Sequence, residues 1–389
     1  MPHLLSLPVE VILHICRQLR HPRTLSCFCR TSKAFHSIAT PILYACFDNG
    51  GLDGSPVERG LEQSIKFLTA ISLRPELGEF VRELRIEGSC SKVFDQSQDD
   101  MFRKAAARLG MDIPCPSQQG FEAMACLLIT QTPNLTTLDV YIANNGHDRD
   151  DSSPFGILEN ASPPVPLRIA LPHLRQLHLG QSSEEVSLRY FGGILQFAAG
   201  LTDLTLRTSF KPPPASVLCD DLMHFRNVTH LDVKGLNWTQ RGLDFVVSRC
   251  HALVKFRYQS LEVAHGIASP TVTARELIEM LRQHGHNKTL RSLNVDMKYL
   301  YPPFICPDGE QVPSLKDFSR LETFCVDGTS IQFPAPGSPD YRTDILTNML
   351  PSCVRHFDLT YAPNESVTNL FWHYVVVRGA TIPFRKAYE

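Results

Sequence analysis

One six-residue phrase, apolar-x-x-apolar-x-apolar, recurs nine times between Val81 and Leu359 and constrains this chain more than any other feature. It reads Val81-x-x-Leu84-x-Ile86, Leu135-x-x-Leu138-x-Val140, Leu174-x-x-Leu177-x-Leu179 and Leu201-x-x-Leu204-x-Leu206. It continues as Val228-x-x-Leu231-x-Val233, Leu253-x-x-Phe256-x-Tyr258 and Leu290-x-x-Leu293-x-Val295, then Leu321-x-x-Phe324-x-Val326 and Val354-x-x-Phe357-x-Leu359. The fourth positions lie 54, 39, 27, 27, 25, 37, 31 and 33 residues apart. A single copy says little, because alternating apolar residues suit any half-buried strand. Nine copies predict one short strand per repeat, with the fourth and sixth residues facing a shared core. A unit of this size cannot bury its apolar face alone, so each needs its neighbours.

The segments between the phrases supply the second layer. Residues 118–129, 188–198, 241–249, 274–282 and 340–349 read as helices. Prolines punctuate the crossings, as at Pro163-Pro164, Pro212-Pro213-Pro214, Pro302-Pro303 and Pro334, where they end helices without giving any unit its own core. Residues 50–80 bridge to what precedes: Gly50-Gly51 and Gly54 are loose, and Leu61, Ile65, Leu68 and Leu73 suggest a joining helix. Residues 365–378, with Val367, Leu370, Phe371, Tyr374 and Val375, suit a closing segment that shields the last repeat.

The first 47 residues are a different object. Pro8 is placed at a first helical turn, where its missing N–H costs nothing, and Glu10 follows where a helix N-terminus favours negative charge. Val11, Ile12, Ile15 and Leu19 form a stripe at helical spacing. Pro22 starts a second short helix with Leu25 and Phe28 on its buried side, and a third runs from about Thr31 to Ala39, stopping before Pro41. So short a unit buries little surface and leans on a partner or on the body behind it.

These residues resemble an F-box of the kind common in fungal proteins. The resemblance rests on Leu7-Pro8-Val9-Glu10-Val11-Ile12-Leu13-His14-Ile15 and on Thr31-Ser32-Lys33-Ala34-Phe35 through Pro41-Ile42-Leu43-Tyr44. It implies a three-helix module docking on the Skp1 subunit of a cullin-RING ubiquitin ligase. Leu7, Pro8, Ile12, Ile15 and Leu19 match apolar positions of the motif, and Lys33 with Phe35 its basic-x-aromatic signature. Ser32 stands where cysteine is frequent, and Phe35 where tryptophan is. Leu7 and Pro8, ahead of the stripe, are the stronger surface contacts; Ile12 or Phe35 taken alone suits an interior position better.

The repeated phrases resemble the irregular leucine-rich repeats behind many F-boxes, and the central spacing of 25 to 27 lies within the range of about 20–29 residues usual for them. The asparagine that follows the strand in regular repeats is mostly missing, with Gly180, Gly235 and Gly328 near that turn. The expected fold is therefore α/β: an N-terminal three-helix F-box (1–47), a helical linker (48–80), an irregular leucine-rich-repeat solenoid (81–362) and a C-terminal cap and tail (363–389).

Composition supports a binding protein over an enzyme. Thirty-eight basic residues nearly balance 40 acidic ones, giving a net charge of -2 and no general attraction to nucleic acid or anionic membrane. No run approaches the ~20 apolar residues of a membrane span, and no secretory leader is evident. Twelve scattered cysteines, such as Cys126 and Cys325 inside apolar runs, read as buried free thiols of a reducing compartment, cytoplasmic or nuclear. Phosphate-loop, zincin and nucleophile-elbow motifs are absent. Cys27-x-Cys29 with His36 lacks a second pair at zinc spacing, so Cys29 reads as a packed thiol. Asp95, Asp99, Asp100, Asp148, Asp150 and Asp151 read as solvated loop carboxylates, and His147 and His173 have no acid–base context. Lys255-Phe256-Arg257-Tyr258 mixes basic and aromatic residues, yet Phe256 and Tyr258 occupy inward repeat positions.

The expected function is thus a non-catalytic substrate adaptor of an SCF-type E3 ubiquitin ligase, without cofactor or metal. Its partners would be Skp1, through it a cullin-RING complex, and a protein substrate. The alternatives are a Skp1-binding scaffold without ligase function, or a leucine-rich-repeat interaction protein with a vestigial F-box. Substrate contacts are expected among the variable strand residues, with Arg175, Thr202, His230, Lys255, Arg257 and Arg291 as candidates.

Overall fold

A computed structural model describes residues 7–19, 21–49, 57–89, 95–111, 120–143, 171–181, 186–187, 192–207, 210–211, 225–235, 238–260, 272–297, 311–328, 330–331 and 345–360. The chain divides into two compact units: Met1–Leu177 with Arg189–Gly200, and His178–Leu188 with Leu201–Glu389.

The first unit begins with helices α1 (Val9–Gln18), α2 (Pro22–Cys29) and α3 (Lys33–Leu43). A short strand β1 (Cys46–Asp48) follows, then α4 (Val57–Leu73), β2 (Glu83–Ser89), α5 (Gln96–Leu109), α6 (Gly120–Thr130) and β3 (Thr137–Ala143). The strands run parallel in the order β1-β2-β3, with Phe47 opposite Leu84 and Leu84 opposite Leu138. Strand β4 (Gln176–Gln181) lies at the division between the units. The second unit contains β5 (Val186–Ser187), β6 (Asp203–Leu206), β7 (Phe210–Lys211), β8 (His230–Gly235), β9 (Lys255–Ser260), β10 (Ser292–Asp296), β11 (Thr323–Asp327) and β12 (His356–Thr360). Its main ladder is parallel in the order β6-β8-β9-β10-β11-β12, while β5 and β7 pair separately.

All nine sequence phrases fall on strands, and their positions align. Leu204, Leu231, Phe256, Leu293, Phe324 and Phe357 form one rank across the second unit. Leu206, Val233, Tyr258, Val295, Val326 and Leu359 form the next, and both ranks are buried. The intervening residues point the other way: Asp232, Arg257, Asn294, Cys325 and Asp358 are half-buried on the opposite face. Parallel strands demand crossovers, and helices Gln240–Arg249 and Ala274–Gln283 make two of them. The second starts with a capping box in which Thr273 and Glu276 bond reciprocally, and it buries Leu277, Ile278 and Leu281.

The structure departs from the sequence expectations at several points. Asp95, Asp99 and Asp100 are not loop carboxylates. Asp95 caps α5 in a reciprocal box with Gln98, Asp99 is buried within that helix, and Phe102, Ala105 and Ala106 line its inward face. The 54-residue gap between Leu84 and Leu138 thus holds two helices, α5 and α6. Pro41 lies inside α3 instead of ending it. The helix continues because Ile42 and Leu43 pack on the cluster formed by α1–α3, which offsets the bond a proline cannot make. Pro8 is the residue before α1, its carbonyl accepting from Val11 and Ile12. Cys126 is buried as expected, but Cys325 is half-exposed on the sheet's other face. Burial, then Asp358 and Asp296, push its thiol up to about 12, with Arg257 opposing, so it stays protonated and unreactive near neutrality. Leu73 is exposed although Leu61 and Leu68 of the same helix are buried. The closing segment expected at 365–378 and the carboxylates Asp148, Asp150 and Asp151 lie outside the described residues.

The ladder also starts before the first phrase. Asn49 occupies the place of the last apolar residue after β1, and its amide is fully used. Its Oδ1 accepts from the Glu87 N–H (2.6 Å), while its Nδ2 donates to Ser64 Oγ (2.7 Å) and the Glu87 carbonyl (2.9 Å). Gly60 faces it closely: a Cβ there would lie 2.5 Å from the Asn49 carbonyl oxygen. Asn49→Ala leaves the half-buried Glu87 N–H without its acceptor and is expected to cost about 1–3 kcal/mol, read as a lower urea midpoint by circular dichroism. Asn49→Asp should be no milder, since a carboxylate cannot donate to Ser64 or Glu87.

His286 provides a second test. It is fully buried, with Nε2 3.1 Å from the Val247 carbonyl and no partner at Nδ1. Burial lowers its pKa from 6.5, against the bond to Val247, and the neighbouring His284 adds to the lowering. An unfolded His takes its proton first as pH falls, so this contribution is complete above pH 6.5 and is lost through the depressed folded value. Thermal melts between pH 7.5 and 5 should show stability falling with acid, and the fall should be shallower in His286→Gln, which keeps a donor for Val247.

Candidate functional site

The segment α1–α3 is sealed by its own side chains. Ile12 and Cys16 from α1, Leu25 and Cys29 from α2, and Phe35 and Ala39 from α3 form one buried cluster. Leu7, Leu19, Phe28, Ile38, Ile42 and Leu43 pack around it. Phe28 stacks on Phe35 with ring centroids 4.3 Å apart. Both later helices are capped by side chains: His21 Nδ1 accepts from the Arg23 N–H and Ser32 Oγ from the Phe35 N–H. The Ser32 cap fixes where Phe35 enters the cluster. Burial, then the neighbouring Cys29, raise the Cys16 pKa, so that thiol behaves as a small apolar group. No described residues form a group of three or more potential metal ligands, and Cys29 is packed in the cluster as expected.

The seven candidate docking residues therefore separate by position. Ile12 (3% exposed) and Phe35 (6%) are interior. Leu7, Ile15 and Leu19 are half-buried, whereas Pro8 and Lys33 are exposed. Two apolar residues not singled out as contacts complete the outward face: Val9 is 51% and Val11 42% exposed. They are two of the three large apolar side chains exposed among the described residues. Helical spacing turns Val11 away from Ile12 and Cys16, whereas Val9 shares their side by spacing and is exposed at the first position of α1.

The module is continuous with the ladder. The Ala45 carbonyl, just after α3, accepts from both Arg82 and Glu83 at 2.8 and 3.0 Å. Phe67 of α4 stacks on Phe47 at 4.1 Å, with Tyr44 6.1 Å away.

The six strand-face candidates fall into different settings. Arg175 is tied to its own turn, its Nη1 donating to the Gly200 carbonyl at 2.9 Å and to Pro172 at 3.3 Å. Thr202 and His230 both engage Asp203: Thr202 Oγ1 donates to Oδ2 and His230 Nδ1 lies by Oδ1, each at 2.6 Å. His230 and Lys255 share one rank, while Arg257 lies in the rank of Asp232 and Asn294 on the same face. Arg291 stands before β10, its Nη1 3.6 Å from Glu322 Oε1. Phe256 and Tyr258 are buried, as their repeat positions require, and so are closed to base stacking.

The two surfaces should respond oppositely to mutation. Phe35→Ala opens a cavity in a small cluster and is expected to destabilise the α1–α3 module by about 3–5 kcal/mol. Val11→Glu, on the exposed face, should move stability by about 0.5 kcal/mol or less. Hydrogen exchange of α1–α3 amides distinguishes these outcomes.

No helix among the described residues is long and apolar enough to cross a membrane. No curated protein matches the chain with significance. Residues 4–49 match the F-box-like family, so the segment folded as α1–α3 and β1 is an F-box-like domain.

Proposed function

We propose that the chain is a non-catalytic adaptor of an SCF-type ubiquitin ligase, docking on Skp1 through α1–α3 and holding a protein substrate on its repeated strands. The observation that carries this reading is the F-box-like match over residues 4–49, on a module whose interior is closed by its own residues. Such a module has no need of Pro8, Val9 and Val11 inside, and it leaves them exposed, as it does Lys33. Covering two valines contributes roughly 1.5–3 kcal/mol each when burial is complete. The docking face is therefore Leu7, Pro8, Val9, Val11 and Lys33, with Ile15 and Leu19 at its edge. Ile12 and Phe35 act indirectly, by holding that face in shape.

The repeated region is read as irregular leucine-rich repeats. Support comes from nine phrases that coincide with parallel strands, from register-aligned apolar ranks and from helical crossovers. Thr202, His230, Lys255, Arg257 and Arg291 belong to the substrate surface, whereas the Arg175 side chain secures a turn. Catalysis would arise from proximity: tethering raises the effective concentration of substrate lysines near a ubiquitin-charged enzyme recruited through the cullin. No residue of this chain need form a covalent intermediate.

The test uses the full chain and purified Skp1. Wild type should bind, and Pro8→Ala/Val11→Glu should bind at least tenfold more weakly with an unchanged circular dichroism spectrum. Failure of the folded wild type to bind would overturn the adaptor reading. Binding unaffected by the double variant would move the docking face elsewhere on the module. Skp1 binding without cullin in the reconstituted assembly would favour the scaffold alternative.

A further inference from the structure

We propose that the groove between α4 and α5 is a docking site for an acidic amphipathic helix of a partner protein. The groove has a volume of about 590 Å³. Along α5 it is lined at Gln96, Ser97, Asp100, Met101, Lys104 and Arg108. Those positions recur at helical spacing, so they mark one face of that helix over about 18 Å. The opposite face of α5, with Asp99, Phe102 and Ala106, is buried. The other wall is the end of α4, at Thr69, Ser72 and Leu73. Two contacts hold the walls together: Thr69 Oγ1 lies 3.7 Å from Met101 Sδ, and Arg108 Nη1 donates to the Ser72 carbonyl at 2.9 Å. An amphipathic helix is the element that fills a groove of this form, laying its apolar face inward.

The lining offers apolar surface together with uncompensated positive charge. Leu73 ends α4 with 69% of its surface exposed, and Met101 on the other wall is half-buried. With Val9 and Val11 of α1, Leu73 makes up the three large apolar side chains exposed among the described residues. Lys104 and Arg108 follow Met101 along α5, one turn apart. Lys104 makes no hydrogen bond or ion pair among the described residues, and Arg108 donates to a neutral carbonyl. Lys66 of α4 shows the contrast, its ammonium 2.6 Å from Glu62. Asp100 is the one carboxylate of the lining, and it accepts from Gln96 at 3.2 Å. Two cations against one carboxylate leave one positive charge over.

These features select the occupant. Apolar side chains three or four residues apart would cover Leu73 and Met101, and carboxylates one turn away would meet Lys104 and Arg108. Acidic residues favour the first turn of a helix, so the partner's N-terminal turn lies over the C-terminal half of α5 and the two helices run antiparallel. A basic helix would set like charge against Lys104. A wholly apolar one would cover both cations without pairing either.

The groove shares no residue with α1–α3, so it holds or fails independently of the adaptor reading. The full-length chain, isotope-labelled at its methionine methyl groups, would be titrated by NMR with a synthetic alanine-based helical peptide. That peptide carries glutamates in its first two turns and leucines along the same face; its control has lysine for glutamate. A saturable shift of the Met101 methyl, assigned through Met101→Leu, is expected with the glutamate peptide and none with the lysine peptide. Leu73→Ser should weaken binding at least fivefold. Lys104→Glu should reverse the preference toward the lysine peptide, a gain that misfolding cannot imitate. Neither variant should change Skp1 binding. No saturation with the glutamate peptide, or equal binding of both peptides, would overturn the proposal. Self-association of the wild type that Leu73→Ser abolishes would assign the groove to a second copy, and loss of Skp1 binding in Leu73→Ser would assign it to Skp1; either result also overturns the proposal.

Discussion

Eight strand starts in the described ladder each hang on one carbonyl that accepts two successive N–H groups from the next strand. Ala45, Arg82, Thr136, Thr202, Thr229, Val254, Arg291 and Glu322 all do this, with N–O distances of 2.8–3.1 Å. The interaction fixes register, and in a sheet register decides which face every later side chain takes. A slip of one residue would exchange the rank of Leu231 and Phe256 for the rank of Asp232 and Arg257, placing charges in the core. The buried leucines and phenylalanines supply the driving force for packing. The paired N–H groups make that packing unique.

The same interaction explains why the F-box-like domain is not a loose appendage of the first unit. Its last helix ends at Leu43, and two residues later the Ala45 carbonyl is already the first such acceptor. Asn49 then replaces an apolar side chain with an amide that reaches both β2 and α4. The aromatic stack of Phe47 on Phe67 closes the same junction. Within the first unit the domain is therefore joined to β2 and α4 by backbone and side-chain bonds and not by a linker alone.

Most of the ladder was legible in the sequence because its physics is local and repeated. The apolar residues at Leu231, Phe256 and Leu293 must be apolar, and a period-two pattern survives any variation around it. What escaped detection was non-periodic. β1 was missed because Asn49 stands where the phrase demands an apolar residue, and a buried amide is readable only once Glu87 and Ser64 are nearby. α5 was missed because charge obscured its start, although Asp95 and Gln98 carry the capping-box spacing. Pro41 misled because its local cost is visible in sequence while the packing of Ile42 and Leu43 is not. On α1, the helical stripe correctly placed Ile12 among apolar positions but could not say which side of the stripe was inward. The cluster with Cys16, Leu25 and Phe35 decides that, and it leaves Val9 and Val11 exposed.

This division of labour accounts for where the repeats are free to vary. The fourth and sixth residues of each phrase are committed to the core, and the second residue's backbone is committed to register. Its side chain can vary, although Thr136 Oγ1 also donates to the Arg82 carbonyl and Arg175 to those of Pro172 and Gly200. Position two accordingly holds arginine, threonine, valine and glutamate in different repeats without any change in the carbonyl geometry. The third and fifth positions have the same freedom on the face away from the core, where His230, Lys255 and Arg257 stand. A ladder of this kind can therefore vary its outward residues without changing its fold.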